Sequence, residues 1–163
     1  MVHLIKPFLV AAAFLVTTCV VHVARATEAP ADVCSLLPAA EVSKTLGQAY
    51  DSPQKRVAPR PFANTVSGTD CSYEATQSTL LFRAYFDPSP SAATDLFAKL
   101  GKYFGTPTPI AGLADEAYFD EDHGLHARKG NVRFYINLSP IGKFTPVIEK
   151  QLKDLASQVS ARL

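Results

Sequence analysis

Apolar and polar positions alternate from Thr79 to Phe86, with Leu80, Phe82, Ala84 and Phe86 on one side and Leu81, Arg83 and Tyr85 on the other. A period of two sends successive side chains to opposite faces of a strand, so residues 79–86 are predicted as a strand with one buried face. The alternation returns over residues 131–138, with Val132, Phe134, Ile136 and Leu138 inward and Arg133, Tyr135 and Asn137 outward. Residues 114–119 and 125–129 read as two further strands, linked by the polar turn 120–124, and a second turn at 129–131 leads into the last strand. Three segments have helical spacing instead. Residues 38–46 begin on Pro38, place Val42 and Leu46 on one face and stop at Gly47. Ser89-Pro90 opens a helix carrying Leu96, Phe97, Leu100 and Phe104 and ending at Gly105, and Thr145-Pro146 opens a last one striped by Ile148, Leu152, Leu155, Val159 and Leu163. Residues 51–68, with Pro53, Pro59 and Pro61 among Lys55, Arg56 and Arg60, read as an exposed loop or edge strand.

Two stretches run in parallel. Gly68–Tyr73 leads to Phe82-Arg-Ala-Tyr85, then Ser89-Pro90 and a helix; Gly112–Tyr118 leads to Val132-Arg-Phe-Tyr135, then Ser139-Pro140 and a helix. Chance likeness of two amphipathic strands competes with duplication of a strand–strand–helix unit. The expected fold is therefore α+β: an antiparallel sheet of about five or six strands with three helices on one face, built from two such units if the repeat is real.

The start of the chain changes the counts. Residues 1–26 have one Lys, an apolar run from Pro7 to Val16, and Ala24-Arg25-Ala26, the form of a secretory signal peptide cleaved after Ala26. An uncleaved anchor is the rival reading, and lipidation at Cys19 a second, although Thr18 stands where a lipoprotein signal normally has a smaller residue. Each puts residues 27–163, read as a single α+β domain, outside the cytoplasm, in the periplasm or secreted. Membrane contact is expected only if the segment stays uncleaved or is lipidated. The whole chain carries 16 Lys and Arg against 15 Asp and Glu; losing Lys6 and Arg25 leaves one more acid than base. Neither balance suits a nucleic-acid partner.

Cleavage also removes Cys19 and leaves Cys34 and Cys71. In an oxidising compartment two cysteines in a small domain most often form a disulfide; metal ligation and a nucleophilic thiol are alternatives without a supporting motif. A bridge across 37 residues would contribute roughly 4 kcal/mol by restricting the unfolded chain.

Chemistry is sparse. Asp115, Glu116, Asp120, Glu121, Asp122, His123 and His126 gather candidate metal ligands, with His123, His126 and Asp120 the weak metal candidates, but a solvated acidic hairpin tip is the simpler account. The carboxylates of Asp115 and Glu116, adjacent in a strand, are expected to face opposite ways. There is no Gly-x-Ser-x-Gly, no His-Glu-x-x-His and no phosphate-binding glycine loop, which favours a non-catalytic protein without a cofactor. The outer sheet face is the better candidate: Arg83, Tyr85, His126, Arg128, Arg133, Tyr135 and Asn137 would share it, and Arg with Tyr suits binding, though such pairs can equally cover a solvated sheet.

Asp32-Val-Cys34-Ser-Leu-Leu37, Ala40-Glu-Val42, Leu46-Gly47 and Cys71-Ser-Tyr73 resemble the opening half of small secreted or lipid-anchored bacterial envelope domains of uncharacterised function. Gly112-Leu-Ala-Asp-Glu-Ala-Tyr118 and Arg128-Lys-Gly-Asn131 are similar to their second half. The resemblance implies the paired cysteines and the α+β sheet and supplies no catalytic residue. Pro38 departs from it, standing where many relatives have a Thr or Ser cap. The expected function is a non-catalytic extracytoplasmic module binding an envelope protein, glycan or lipid. A small hydrolase or metal-dependent enzyme centred on residues 115–126, and a structural envelope protein, are the alternatives.

Overall fold

The computed structural model describes residues 26–63, 65–140 and 142–163. The signal-peptide reading, with its anchor and lipidation rivals, falls on residues outside these apart from Ala26. The elements are α1 (Ala39–Leu46), β1 (Gln54–Ala58), β2 (Gly68–Glu74), β3 (Thr79–Phe86), α2 (Pro90–Tyr103), β4 (Thr108–Pro109), β5 (Glu116–Phe119), β6 (Leu125–Lys129), β7 (Val132–Ser139) and α3 (Pro146–Arg162). All strands pair antiparallel in one sheet of order β1-β2-β3-β7-β6-β5-β4.

The sheet thus has seven strands where about five or six were expected. The additions are the edges: exposed β1, whose prolines and charges obscure a strand pattern, and two-residue β4, too short to have one. Helix boundaries follow local chemistry. Ser89 Oγ accepts from the Ala92 amide and Thr145 Oγ1 from that of Ile148, each with Pro in the first turn, while Gly47 takes the left-handed stop of α1 at φ 73°. Pro38 precedes α1 with no side-chain cap.

One face carries the main core. Cys71, Tyr73, Leu80, Phe82, Phe134, Ile136, Leu125 and Phe119 pack beneath α1, the stripe Leu152, Leu155, Ala156 and Val159 of α3, and a single 3-10 turn at Val33–Leu36. Two side chains staple that turn to β2. Cys34 is bonded to Cys71, and the buried Tyr73 hydroxyl donates to the carbonyls of Cys34 and Leu37. Burial pushes the Tyr73 phenol well above its ordinary pKa, so it stays a donor at any physiological pH.

The expectation of three helices on one face is corrected. Helix α2 lies on the opposite face, where Phe97 packs against Tyr118 with ring centroids 5.0 Å apart, while the flanking Ala117 and Phe119 point into the main core. Helical periodicity marks the apolar side of α2, but both faces of β5, β6 and β7 offer large partners for it. This placement also limits the duplication. The three-stranded meanders β1-β2-β3 and β5-β6-β7 meet at the β3–β7 seam, where Ala84 stands opposite Phe134 in the register a two-fold through the sheet requires. Such an axis would put both following helices on one side, but α2 and α3 take opposite sides; it also relates β2 to β6, whereas Gly112–Tyr118 runs into β5, one strand further from the seam, so of the repeated stretches only β3 and β7 are equivalent.

Replacing Cys34 and Cys71 together by Ser should cost about 2–5 kcal/mol of unfolding free energy, read from urea titrations. A loss under 1 kcal/mol would mean that the bridge only decorates a turn already fixed by Tyr73.

Candidate functional site

The seam places the two Arg-x-Tyr motifs head to tail. Arg83 stands opposite Tyr135 and Tyr85 opposite Arg133, all on the face that α2 covers. Each guanidinium is held edge-on by a carboxylate, that of Arg83 by Asp70 on the neighbouring β2 and that of Arg133 by Asp87 at the end of β3, across the seam. Arg83 donates through Nε and Nη2 to Asp70 at 2.6 and 2.9 Å, and Arg133 through the same atoms to Asp87 at 2.5 and 3.0 Å. Such forks fix the guanidinium plane as well as its position. The hydrogen bond to Asp70 raises the already high pKa of Arg83 against its desolvation. Tyr85 lies over Arg133, with the guanidinium carbon 4.8 Å from its ring centroid.

Both tyrosines lie against a glycine. A Cβ on Gly68 would stand 2.7 Å from the Tyr85 ring and from the Ala84 carbonyl; one on Gly124 would stand 2.4 Å from the Tyr135 ring. These two positions are kept bare by close approach. Burial, and then the charge of Asp120, push the Tyr135 phenol up to about 12, and burial also raises Tyr85.

His126, in β6, continues the aromatic layer. It stacks on Tyr118 at 4.8 Å and meets Tyr135 at 4.6 Å and Phe104 at 5.1 Å. Its Nε2 lies 2.9 Å from Asp120 Oδ2, while Asp120 Oδ1 accepts from the amides of Gly124 and Asp122. Burial of Asp120 opposes ionisation, but the bonds from His126, Gly124 and Asp122 outweigh it and hold the carboxyl below its ordinary pKa.

Between this layer, α2 and the loop at Pro59–Phe62 lies a cavity of about 330 Å³. The loop is tied down where the Tyr85 hydroxyl donates to the Pro59 carbonyl at 2.8 Å. Of the residues expected on the outer face, Arg83, Tyr85, His126, Arg133 and Tyr135 line this cavity. Arg128 shares the face but not the cavity: it binds Asp115, Glu116 and the Gly130 carbonyl. Asn137 is half-buried on β7 and outside the lining. The expectation that Asp115 and Glu116 diverge is corrected, because Asp115 precedes β5, beyond the left-handed Ala114, and both carboxylates reach Arg128.

The acidic hairpin does not converge on a metal. His123, itself left-handed at φ 63°, stacks on Phe144 at 4.2 Å, and Phe144 packs against the main core; His126 points into the cavity layer. Among the described residues no three His, Cys, Asp or Glu side chains are grouped to hold an ion. Sequence reasoning missed Asp70, Asp87 and Asp120 as partners and Phe62, Phe97, Leu100 and Phe104 as walls. Only the apolar stripe of α2 announced any of these, for Phe97, Leu100 and Phe104, without saying which face they would meet. Comparison with known proteins finds no matching family model, no matching curated protein and no matching solved structure.

Because the carboxyl of Asp120 ionises more easily in the folded chain than in the unfolded one, its contribution is complete above the ordinary carboxylate range, near pH 4, and is lost as pH falls through the lower folded value. The melting temperature of Asp120→Asn should therefore lie below that of the parent at pH 6 and approach it by pH 3. A gap independent of pH would show that the charge is not what Asp120 contributes.

Proposed function

We propose that residues 27–163 form a non-catalytic, extracytoplasmic binding module of the bacterial envelope, with the cavity under α2 as its ligand site. The observation that carries this reading is the cavity itself. Aromatic and aliphatic side chains wall it, and Arg83 and Arg133 are each oriented by a carboxylate outside it, the few fixed polar groups in an apolar wall that ligand pockets use to set orientation. The Cys34–Cys71 bond supports an oxidising compartment. The outer sheet face, first read as a flat surface for an envelope protein, glycan or lipid, is roofed by α2 in its centre, which favours a small molecule over a macromolecule there. The hydrolase and metal-enzyme alternative loses its support where His123 and His126 part.

Leu100→Trp, on the cavity side of α2, should fill the space with little effect on the core. Parent protein incubated with an envelope small-molecule extract should carry a discrete added mass in native mass spectrometry, and the folded variant should lack it. Retention of the added mass by Leu100→Trp, or its absence from the parent, would overturn the reading.

A further inference from the structure

The donors around the cavity narrow the ligand's chemistry, and the inference rests on the cavity being the site. Arg133 is 2 % exposed, yet among the described residues its Nη1 has no hydrogen-bond partner, its other two nitrogens being taken by Asp87. Leaving a buried guanidinium nitrogen unpaired forfeits its hydration without a replacement bond, so it is retained where something else offsets the loss. Arg83 repeats the pattern in a more open position: Asp70 takes Nε and Nη2, and among the described residues Nη1 makes no hydrogen bond. Two guanidinium groups beside one cavity therefore each keep the same nitrogen free.

The carboxylates around the cavity have little to offer a donor in return. Asp120 is the carboxylate in its lining, and both of its oxygens are engaged, Oδ1 by two backbone amides and Oδ2 by His126. Asp70 and Asp87 are taken up by their forks. A ligand is thus selected for acceptor atoms. Charge follows from Arg60, at the rim, which bonds Ser67 Oγ at 3.3 Å and, among the described residues, has no carboxylate partner, whereas Arg83, Arg133 and His126 each have one. Among the described residues Arg60 is thus the lining guanidinium whose charge no carboxylate meets at contact distance. The remaining wall is apolar, with Phe62, Phe97, Leu100 and Phe104 around a space at the small end of the usual range for ligand sites, about 300–1,000 Å³.

We propose that the cavity binds a small carboxylate with an apolar or single-ring body. Its carboxylate accepts from the free Nη1 edge of the guanidinium groups, with Arg60 closing the anionic end, and its body lies against the aromatic layer and α2. Both guanidinium groups line the cavity, Arg83 at the more exposed position and Arg133 against the face of Tyr85.

The test titrates the folded mature domain by calorimetry and by NMR with phenylacetate, 3-phenylpropionate and hexanoate, each beside its neutral amide. The acids should bind at least 10-fold more tightly than the amides. Arg60→Gln should weaken the acids several-fold and leave the amides unchanged, and Leu100→Trp should abolish both. Arg133→Gln would strand buried Asp87 and risks misfolding, so Arg83→Gln, at a partly exposed position, is the second probe and should remove the preference for acids. Equal binding of acids and amides, lost in Leu100→Trp, would overturn the carboxylate while leaving the cavity as a site. No binding by either series would overturn both.

Discussion

The buried pair of Arg133 and Asp87 is the constraint from which the rest of the arrangement follows. Removing two charges from water is expensive, and the pair persists only because its geometry is closely determined. Asp87 comes directly after β3, and its backbone amide donates to the Asn131 carbonyl, while its own carbonyl accepts from the Asn131 side chain. The same Asn131 amide group exchanges two hydrogen bonds with the backbone of Thr27. The end of β3, the β6–β7 turn and the first described residues are therefore fastened to one point. Ser89, two residues beyond Asp87, caps α2, so the carboxylate that reaches Arg133 also aims the chain onto that face of the sheet. Among the described residues no such anchor follows β7, and α3 takes the other side.

Legibility in the sequence follows how local each determinant is. The strands β3 and β7 were readable because Leu80, Phe82, Phe134 and Ile136 repeat with period two, and the helices because Ser89, Thr145 and Gly47 end them by short-range bonds. The pairing of Cys34 with Cys71 followed from compartment and count. The side taken by α2 was not readable, because Tyr118, His126 and Tyr135 make the second face of the sheet nearly as good a partner as the first. Nor were the partners of the arginines: Asp70 and Asp87 are thirteen and forty-six residues from the groups they hold, and only the strand register brings them together.

The candidate site was half legible for the same reason. Arg83, Tyr85, Arg133 and Tyr135 were visible as a repeated motif, but their reciprocal opposition depends on register, and the bare positions Gly68 and Gly124 acquire meaning only once a ring is seen against each. What had looked like an open face is a roofed one, shaped by an aromatic layer that two glycines allow to lie flat.

The edges of the sheet carry a different consequence. At one end β1 is exposed along most of its length, with Val57 80 % exposed, but it bears Lys55 and Arg56 and is bounded by Pro53 and Pro59. At the other, β4 is two residues long, and one of them is Pro109, which has no amide hydrogen to give. Both borders are thus poor templates for another strand, by charge at one and by missing donors at the other. A sheet guarded in this way resists growing sideways into fibrils, and it can be kept at high concentration without recruiting its own copies edge to edge.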